Sequence, residues 1–265
     1  MLIRVKTDKI MEDLVERIDV LKTWKIYTYL ILTYVIMHIG SILLAKPFIQ
    51  YFIGNESLSL QEAQYNGVAW SLFSVNLLAA ILFFLLVFRN KRFFQVFKGK
   101  PASIGKTILW GFLGFFLALV GQMVAGMLEA TLFGVEAGSE NTALLSDIAR
   151  VSPIIILSMV IFAPILEEFI FRRVLFAGLY NKTNFIIAAL VSAIVFAAVH
   201  GELQHLLIYM APALVFSFIY YLTKRLLAPI IAHLLMNGFV VIIQLNIEKI
   251  EQFQKLHEVV ITWLN

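Results

Sequence analysis

Two glutamates and two arginines interrupt an otherwise apolar run, FAPILEEFIFRRVLF, at residues 162–176. An ionised side chain near the centre of a bilayer costs about 2.5–3.5 kcal/mol, so packing gives no reason for adjacent Glu167 and Glu168. Glu168 and Arg172 lie one helical turn apart on a common face and can pair. That pair alone would be a salt bridge tying helices together, and it leaves Glu167 unexplained. Arg173 points elsewhere and is expected to mark the cytoplasmic edge. Further on, FIIAALVSAIVFAAVH ends at His200 with Phe196 one turn before it, and LLAPIIAHLLMNGFVVIIQL carries His233 and Asn237 at the same spacing.

These residue types suit the attack of water on a carbonyl. A glutamate in an apolar wall is disfavoured in its charged form, which fits it to take a proton near neutral pH. His200 shares the water's proton and passes it to a leaving amine. His233 and Asn237 offer N–H donors to a developing oxyanion. The same atoms allow a second chemistry, because Glu167, His200 and His233 form a two-imidazole, one-carboxylate set for a divalent metal such as zinc. The compact H-E-x-x-H of metalloprotease helices is absent, so the sequence leaves both chemistries open. His38 and His205 read as satisfied core histidines.

The elements that must position these groups are membrane spans. The chain of 265 residues is 61% hydrophobic and 14% charged, against about 25% charge in soluble domains. Stretches of roughly 20 apolar residues predict spans at 24–45, 67–88, 107–128, 151–176, 184–200, 205–222 and 226–245. The expectation is one all-α, polytopic bundle over 1–265, with its motif-bearing core over 151–245. Residues 8–23 and 247–264 read as amphipathic helices on the membrane surface. No cleavable signal is expected at the N-terminus. The absence of cysteine excludes a disulfide framework, thiolate metal sites and cysteine nucleophiles. The net charge of +4 is a matter of topology and not a nucleic-acid signal. The basic segment RNKRFFQVFKGKPASIGK is expected inside, and the loop bearing Glu129, Glu136, Glu140 and Asp147 outside. The N-terminus is then cytoplasmic.

Pro164 removes a backbone donor and frees the carbonyl of Val160 four residues back. Such a break is tolerated where it borders protein or a wet cavity. Counted from a turn near Asn181, Glu167 lies roughly 21 Å deep and His200 within roughly 7 Å of that level, with His233 and Asn237 at roughly 10–17 Å. All four can therefore border one cavity.

In order and setting, E167-E168-x-x-x-R172 with Phe171 before the arginine, F196-x-x-x-H200 and H233-x-x-x-N237 resemble the CAAX protease and bacteriocin-processing family, which includes the type II CAAX prenyl endopeptidase. The likeness covers about residues 160–240. It implies an intramembrane endopeptidase opening toward the cytoplasm, with Glu167 and His200 activating water and His233 and Asn237 forming the oxyanion site. Glu168, Arg172, Phe171 and Phe196 would support them. A glycine often follows the motif arginine, where this chain has Arg173. The resemblance implies membrane lipids and a membrane-associated peptide or protein as partners, prenylated or of the pheromone or bacteriocin kind. Two other classes compete: a non-catalytic membrane regulator or bacteriocin self-immunity protein, and a proton-coupled transporter, which the lack of repeated halves disfavours.

Overall fold

The computed structural model describes residues 2–88, 90–136, 138–250, 252–253 and 255, with side chains from Trp24 onward except Lys91 and Arg92. Among these residues the regular structure is helical, with no strand. The helices are α1 Leu2–Ile53, α2 Leu60–Val87, α3 Ile104–Phe133, α4 Glu140–Val151, α5 over residues 155–180, α6 Phe185–Val199, α7 Leu206–Thr223 and α8 Leu227–Leu245. Five segments are long and apolar enough to cross a membrane unaided: Trp24–Ile53, Leu60–Val87, Ile104–Phe133, Leu203–Thr223 and Leu227–Leu245. α5 and the 15-residue α6 complete a polytopic bundle. Ile36, Ile42, Leu43, Leu85 and Phe116 are exposed on its outside, a surface suited to lipid.

Local sequence sets the helix ends. Ser59 and Glu62 form a reciprocal capping box at α2. Ser103, Ser139 and Asn184 cap α3, α4 and α6 by accepting backbone N–H bonds. Gly134 closes α3 at φ 66°, the left-handed region where a side chain is costly.

α5 is the central element, touching α1, α2, α6, α7 and α8. α1 pairs with α2 on one side, and α3 packs on α7 and α8 on the other. Gly111 and Gly114 allow that approach, since a Cβ at either would meet Ile231 or Ile219 at 2.7 and 2.6 Å.

Several expectations need correction. The fourth span runs over 155–180 and not 151–176, because Ser152 and Pro153 interrupt the helix and Val151 belongs to α4. The stretch read as an acidic loop contains α4, whose Ile148 and Ala149 pack with Ala69 and Ile155. Glu129 is not a loop charge. It is buried at 3% exposure, accepts the Leu207 and Ile208 N–H groups at 2.6 and 3.2 Å, and meets His205 Nδ1 at 3.2 Å. It thereby satisfies donors left free at the start of α7. Arg173 does not mark an edge, for it is 2% exposed. Its guanidinium donates to the Phe93 carbonyl and the Tyr27 hydroxyl and lies over both rings.

The expected surface helix at 8–23 is continuous in backbone with α1; its side chains lie outside the described residues. Most of the expected 247–264 helix also lies outside them, and the described part is helical.

Candidate active site

Pro164 shapes α5. Upstream of it, Ser158–Phe162 is a π-helical turn in which the Ala163 N–H bonds five residues back, to Ser158. In that register the donor missing at Pro164 falls on Met159 and not on Val160. The Asn237 amide supplies the substitute, with Nδ2 2.9 Å from the Met159 carbonyl oxygen. A second π segment, Glu168–Phe176, follows directly. Such turns are rare and recur at functional sites.

Where the second π segment begins, the adjacent glutamates diverge. Glu168 turns inward and is fully buried with Arg172, Oε2 standing 3.2 Å from the guanidinium Nε. Its other oxygen accepts a 2.8 Å hydrogen bond from His233 Nδ1. A carboxylate only accepts, so the proton on Nδ1 is assigned to His233. Glu167 turns into a cavity, its side chain 16% exposed and Oε2 3.6 Å from His233 Nε2. One imidazole therefore joins the pair, held on one nitrogen by Glu168 and facing Glu167 with the other.

Aromatic rings fix the rest. Phe216 stacks on His233 at 4.9 Å between centroids, and Phe196 lies edge-on to it at 5.9 Å. The Arg172 guanidinium lies over Phe196 and Phe216 at 4.7 and 5.2 Å, contacts that partly replace lost hydration. Phe171 packs on Tyr34 and Phe196, and its carbonyl accepts from Ser192. His200 ends α6 and directs Nδ1 to the Phe196 carbonyl at 2.8 Å. That bond makes Nδ1 the donor and leaves Nε2 as an acceptor.

Glu167, His200, His233 and Asn237 all line one cavity of about 420 Å³, within the range of small-ligand sites. Of the expected supporting residues, Phe196 also lines it, while Glu168, Arg172 and Phe171 stand behind the wall. Tyr34, His38, Asn76, Gln122, Ser158 and Tyr209 line it as well, and sequence reasoning assigned none of them to the site. His38 is thus not simply a core residue. Tyr209 stacks on His200 at 4.1 Å and donates to Glu202 at 2.5 Å. Glu202 also accepts from the Ser139 hydroxyl at 2.7 Å and the Asn141 N–H at 3.0 Å, pinning the start of α4 to the cavity. Burial pushes the Glu202 carboxyl up, but the bonds from Tyr209, Ser139 and Asn141 and the nearby His205 outweigh it and hold it below the usual range.

The cavity lies toward the α4 end of the bundle, where Asn141, Thr142, Leu145 and Val199 line it. Toward the basic loop the interior is filled by Phe93, Leu166, Ile170, Phe171 and Val174. Lys224 and Arg225 fasten that loop through the Lys98 and Ala102 carbonyls.

The three residues expected to ligate a metal all line this cavity. Among the described residues no three His, Asp or Glu side chains are grouped to share an ion. Glu167 and His233 stand together, without His200 as the third donor.

A family model, type II CAAX prenyl endopeptidase Rce1-like, matches residues 149–239. The "Putative membrane peptidase YdiL" of Bacillus subtilis (strain 168) is 42% identical over 224 residues, covering 84% of this chain and 90% of the relative. The "Membrane-embedded CAAX protease MroQ" of Staphylococcus aureus (strain USA300) is 36% identical over 225 residues, covering 81% and 87%. No solved structure matches the chain at a significant level. With relatives this similar along most of its length, the chain belongs to the Rce1-like CAAX protease family of membrane proteins.

Proposed function

We propose that the chain is an intramembrane endopeptidase acting on a membrane-associated peptide or protein. The observation that carries this is the convergence of Glu167, His200, His233 and Asn237, from three helices, on one cavity inside the bundle. Glu167 takes a proton from water as the oxygen attacks the scissile carbonyl. The oxyanion is met by the second N–H of the Asn237 amide, the first being spent on Met159, and by His233 Nε2 when that nitrogen carries a proton. As the C–N bond breaks, the leaving amine receives the proton through Glu167 or His200. Glu168 does not touch substrate; it holds the His233 ring. No step is routed through a metal. The printed names of both relatives favour a peptidase over a non-catalytic regulator or immunity protein.

Positive charge gathers at the end bearing the α2–α3 loop, Lys182, Lys224 and Arg225. The positive-inside rule then makes that end and the N-terminus cytoplasmic. With the cavity toward the other end, the substrate enters from the non-cytoplasmic half. That differs from the cytoplasmic opening the resemblance implies. Because the chain has no cysteine, single cysteines at Lys98 and Asn141 can be labelled from either side of sealed vesicles. Labelling of Asn141→Cys from the cytoplasmic face would reverse this orientation.

The activity test uses purified protein in nanodiscs with two probes, a farnesylated C-terminal peptide and an unmodified amphipathic pheromone-like peptide. Glu167→Gln and His200→Gln should abolish cleavage while leaving the protein folded. Undiminished cleavage by both variants would end the peptidase reading, and the probe that is cut identifies the substrate class.

A further inference from the structure

The catalytic wall of the cavity comes from α5, α6 and α8, within the residues the family model covers. Other parts of its lining come from α1–α3, outside that model. Two carboxamides stand there, Asn76 on α2 and Gln122 on α3. Asn76 is 6% exposed and Gln122 half-buried. Both lie well inside spans, 11 residues or more from the ends of Leu60–Val87 and Ile104–Phe133.

Amides at such depth are commonly explained as glue between helices. The α1–α2 contact has that glue in another residue, Ser71, whose hydroxyl donates to the Ser41 carbonyl at 2.6 Å. Neither the Asn76 nor the Gln122 side chain hydrogen-bonds to any described residue. The Ser158 hydroxyl lines the cavity too, and unlike the amide atoms its oxygen is fully buried with no partner among the described residues. A buried polar group without a partner is costly, so Ser158 leaves an unmet demand at the cavity, and the two amides that border it add donors and acceptors away from the catalytic groups.

We propose that Asn76 and Gln122 bind the peptide backbone of the substrate on either side of the bond presented to Glu167, with Ser158 as a further contact. This rests on the peptidase reading and extends it to a binding site. A peptide segment drawn into a lipid-embedded cavity loses water from its N–H and C=O groups, and each must be paired. A carboxamide offers donors and an acceptor together, so it can pair with both groups of one extended residue. Much of the remaining lining is apolar, with Met37, Leu72, Met236, Val240 and Val241. The ligand is therefore an extended peptide segment with uncharged side chains, recognised by its backbone.

Binding and turnover are measured separately. Short capped apolar peptides, and copies N-methylated at one bond at a time, are titrated against the non-cleaving Glu167→Gln protein and against the same protein carrying Asn76→Leu or Gln122→Leu. Each added substitution should weaken binding about tenfold, the effect of one lost buried hydrogen bond, with unchanged melting. N-methylation at one bond should weaken binding to Glu167→Gln, and the matching leucine variant should no longer register it. Equal affinities in all proteins, or an N-methyl penalty that persists in both leucine variants, overturns the proposal. Should Asn76→Leu fail to fold, Gln122→Leu alone decides. Cleavage by the unsubstituted protein with unaltered affinities removes this site and leaves the peptidase. Backbone-dependent binding without cleavage does the reverse.

Discussion

Adjacent glutamates with opposite duties make a sharp prediction. Glu168→Gln keeps size and shape but places an amide where a carboxylate holds Arg172 Nε at 3.2 Å and His233 Nδ1 at 2.8 Å. One amide oxygen can still accept from His233. The amide nitrogen then faces the guanidinium, donor against donor. Both Glu168 and Arg172 are fully buried, so water cannot stand in. Stranding one member of a buried pair costs about 3–5 kcal/mol, a fall in melting temperature on the order of 10 °C. Glu167→Gln changes a side chain that borders the cavity and whose partner, His233 Nε2, stands 3.6 Å away. It should shift stability by less than about 1 kcal/mol and reduce cleavage by at least the 10²–10⁴ typical of a general base, ~10²-fold as a floor. Thermal unfolding in detergent, followed by the loss of the monodisperse peak, separates the two. Adding Arg172→Met to Glu168→Gln removes the stranded cation and should return most of the lost stability without restoring full activity, because His233 has lost its carboxylate. If Glu168→Gln melts with the unsubstituted protein while Glu167→Gln unfolds, the two roles have been assigned backwards.

Three further outcomes are expected. Pro164→Ala supplies a backbone N–H that competes for the Met159 carbonyl and releases Asn237; stability should hold, and kcat should fall roughly tenfold or more, toward the 10²–10³ that deleting an oxyanion donor costs. Chelation of divalent ions should leave cleavage by purified protein within about twofold, since Glu167, His200 and His233 are not grouped as ligands; a loss restored by zinc would revive the metal chemistry. Glu202 is held below the usual carboxylate range, so its contribution is present above the unfolded value and is lost as pH falls through the folded one. Hydrogen exchange in α4 should therefore rise below about pH 4, and Glu202→Gln should show faster exchange already at neutral pH.

Helices that cross the membrane unaided were legible because hydrophobic length is a direct physical requirement. Where length and charge stop being informative, the sequence misleads. α4 was hidden because its twelve residues are too polar for a span and sit among acids, and its apolar face acquires meaning only against Ala69 and Ile155. Arg173 and Glu129 look like interfacial charges in one dimension. In three dimensions Arg173 is buried by aromatic rings and two acceptors, and Glu129 by helix-end N–H groups, partners distant in the chain.

The same limit divides the site. Glu167, His200, His233 and Asn237 stand out because each is a polar residue in an apolar run, and helical spacing assigns them faces. Spacing pairs Glu168 with Arg172, but an ideal α-helix turns consecutive residues by about 100° and does not say which glutamate faces cavity or core. In the fold Glu167 ends the short α segment Ala163–Glu167 and Glu168 opens the second π segment. A proline with no donor makes the first turn loosen, the loosened register frees Met159 and not Val160, and Asn237 is drawn in to satisfy it. The feature that breaks the helix thus also fixes the amide's position, so helix irregularity and catalytic geometry cannot be mutated independently at Pro164. Asn76 and Gln122 stayed unread for the opposite reason. A single amide in a span has a ready explanation as helix glue, and only the absence of any described partner across the packed bundle sets them apart from Ser71, which has one.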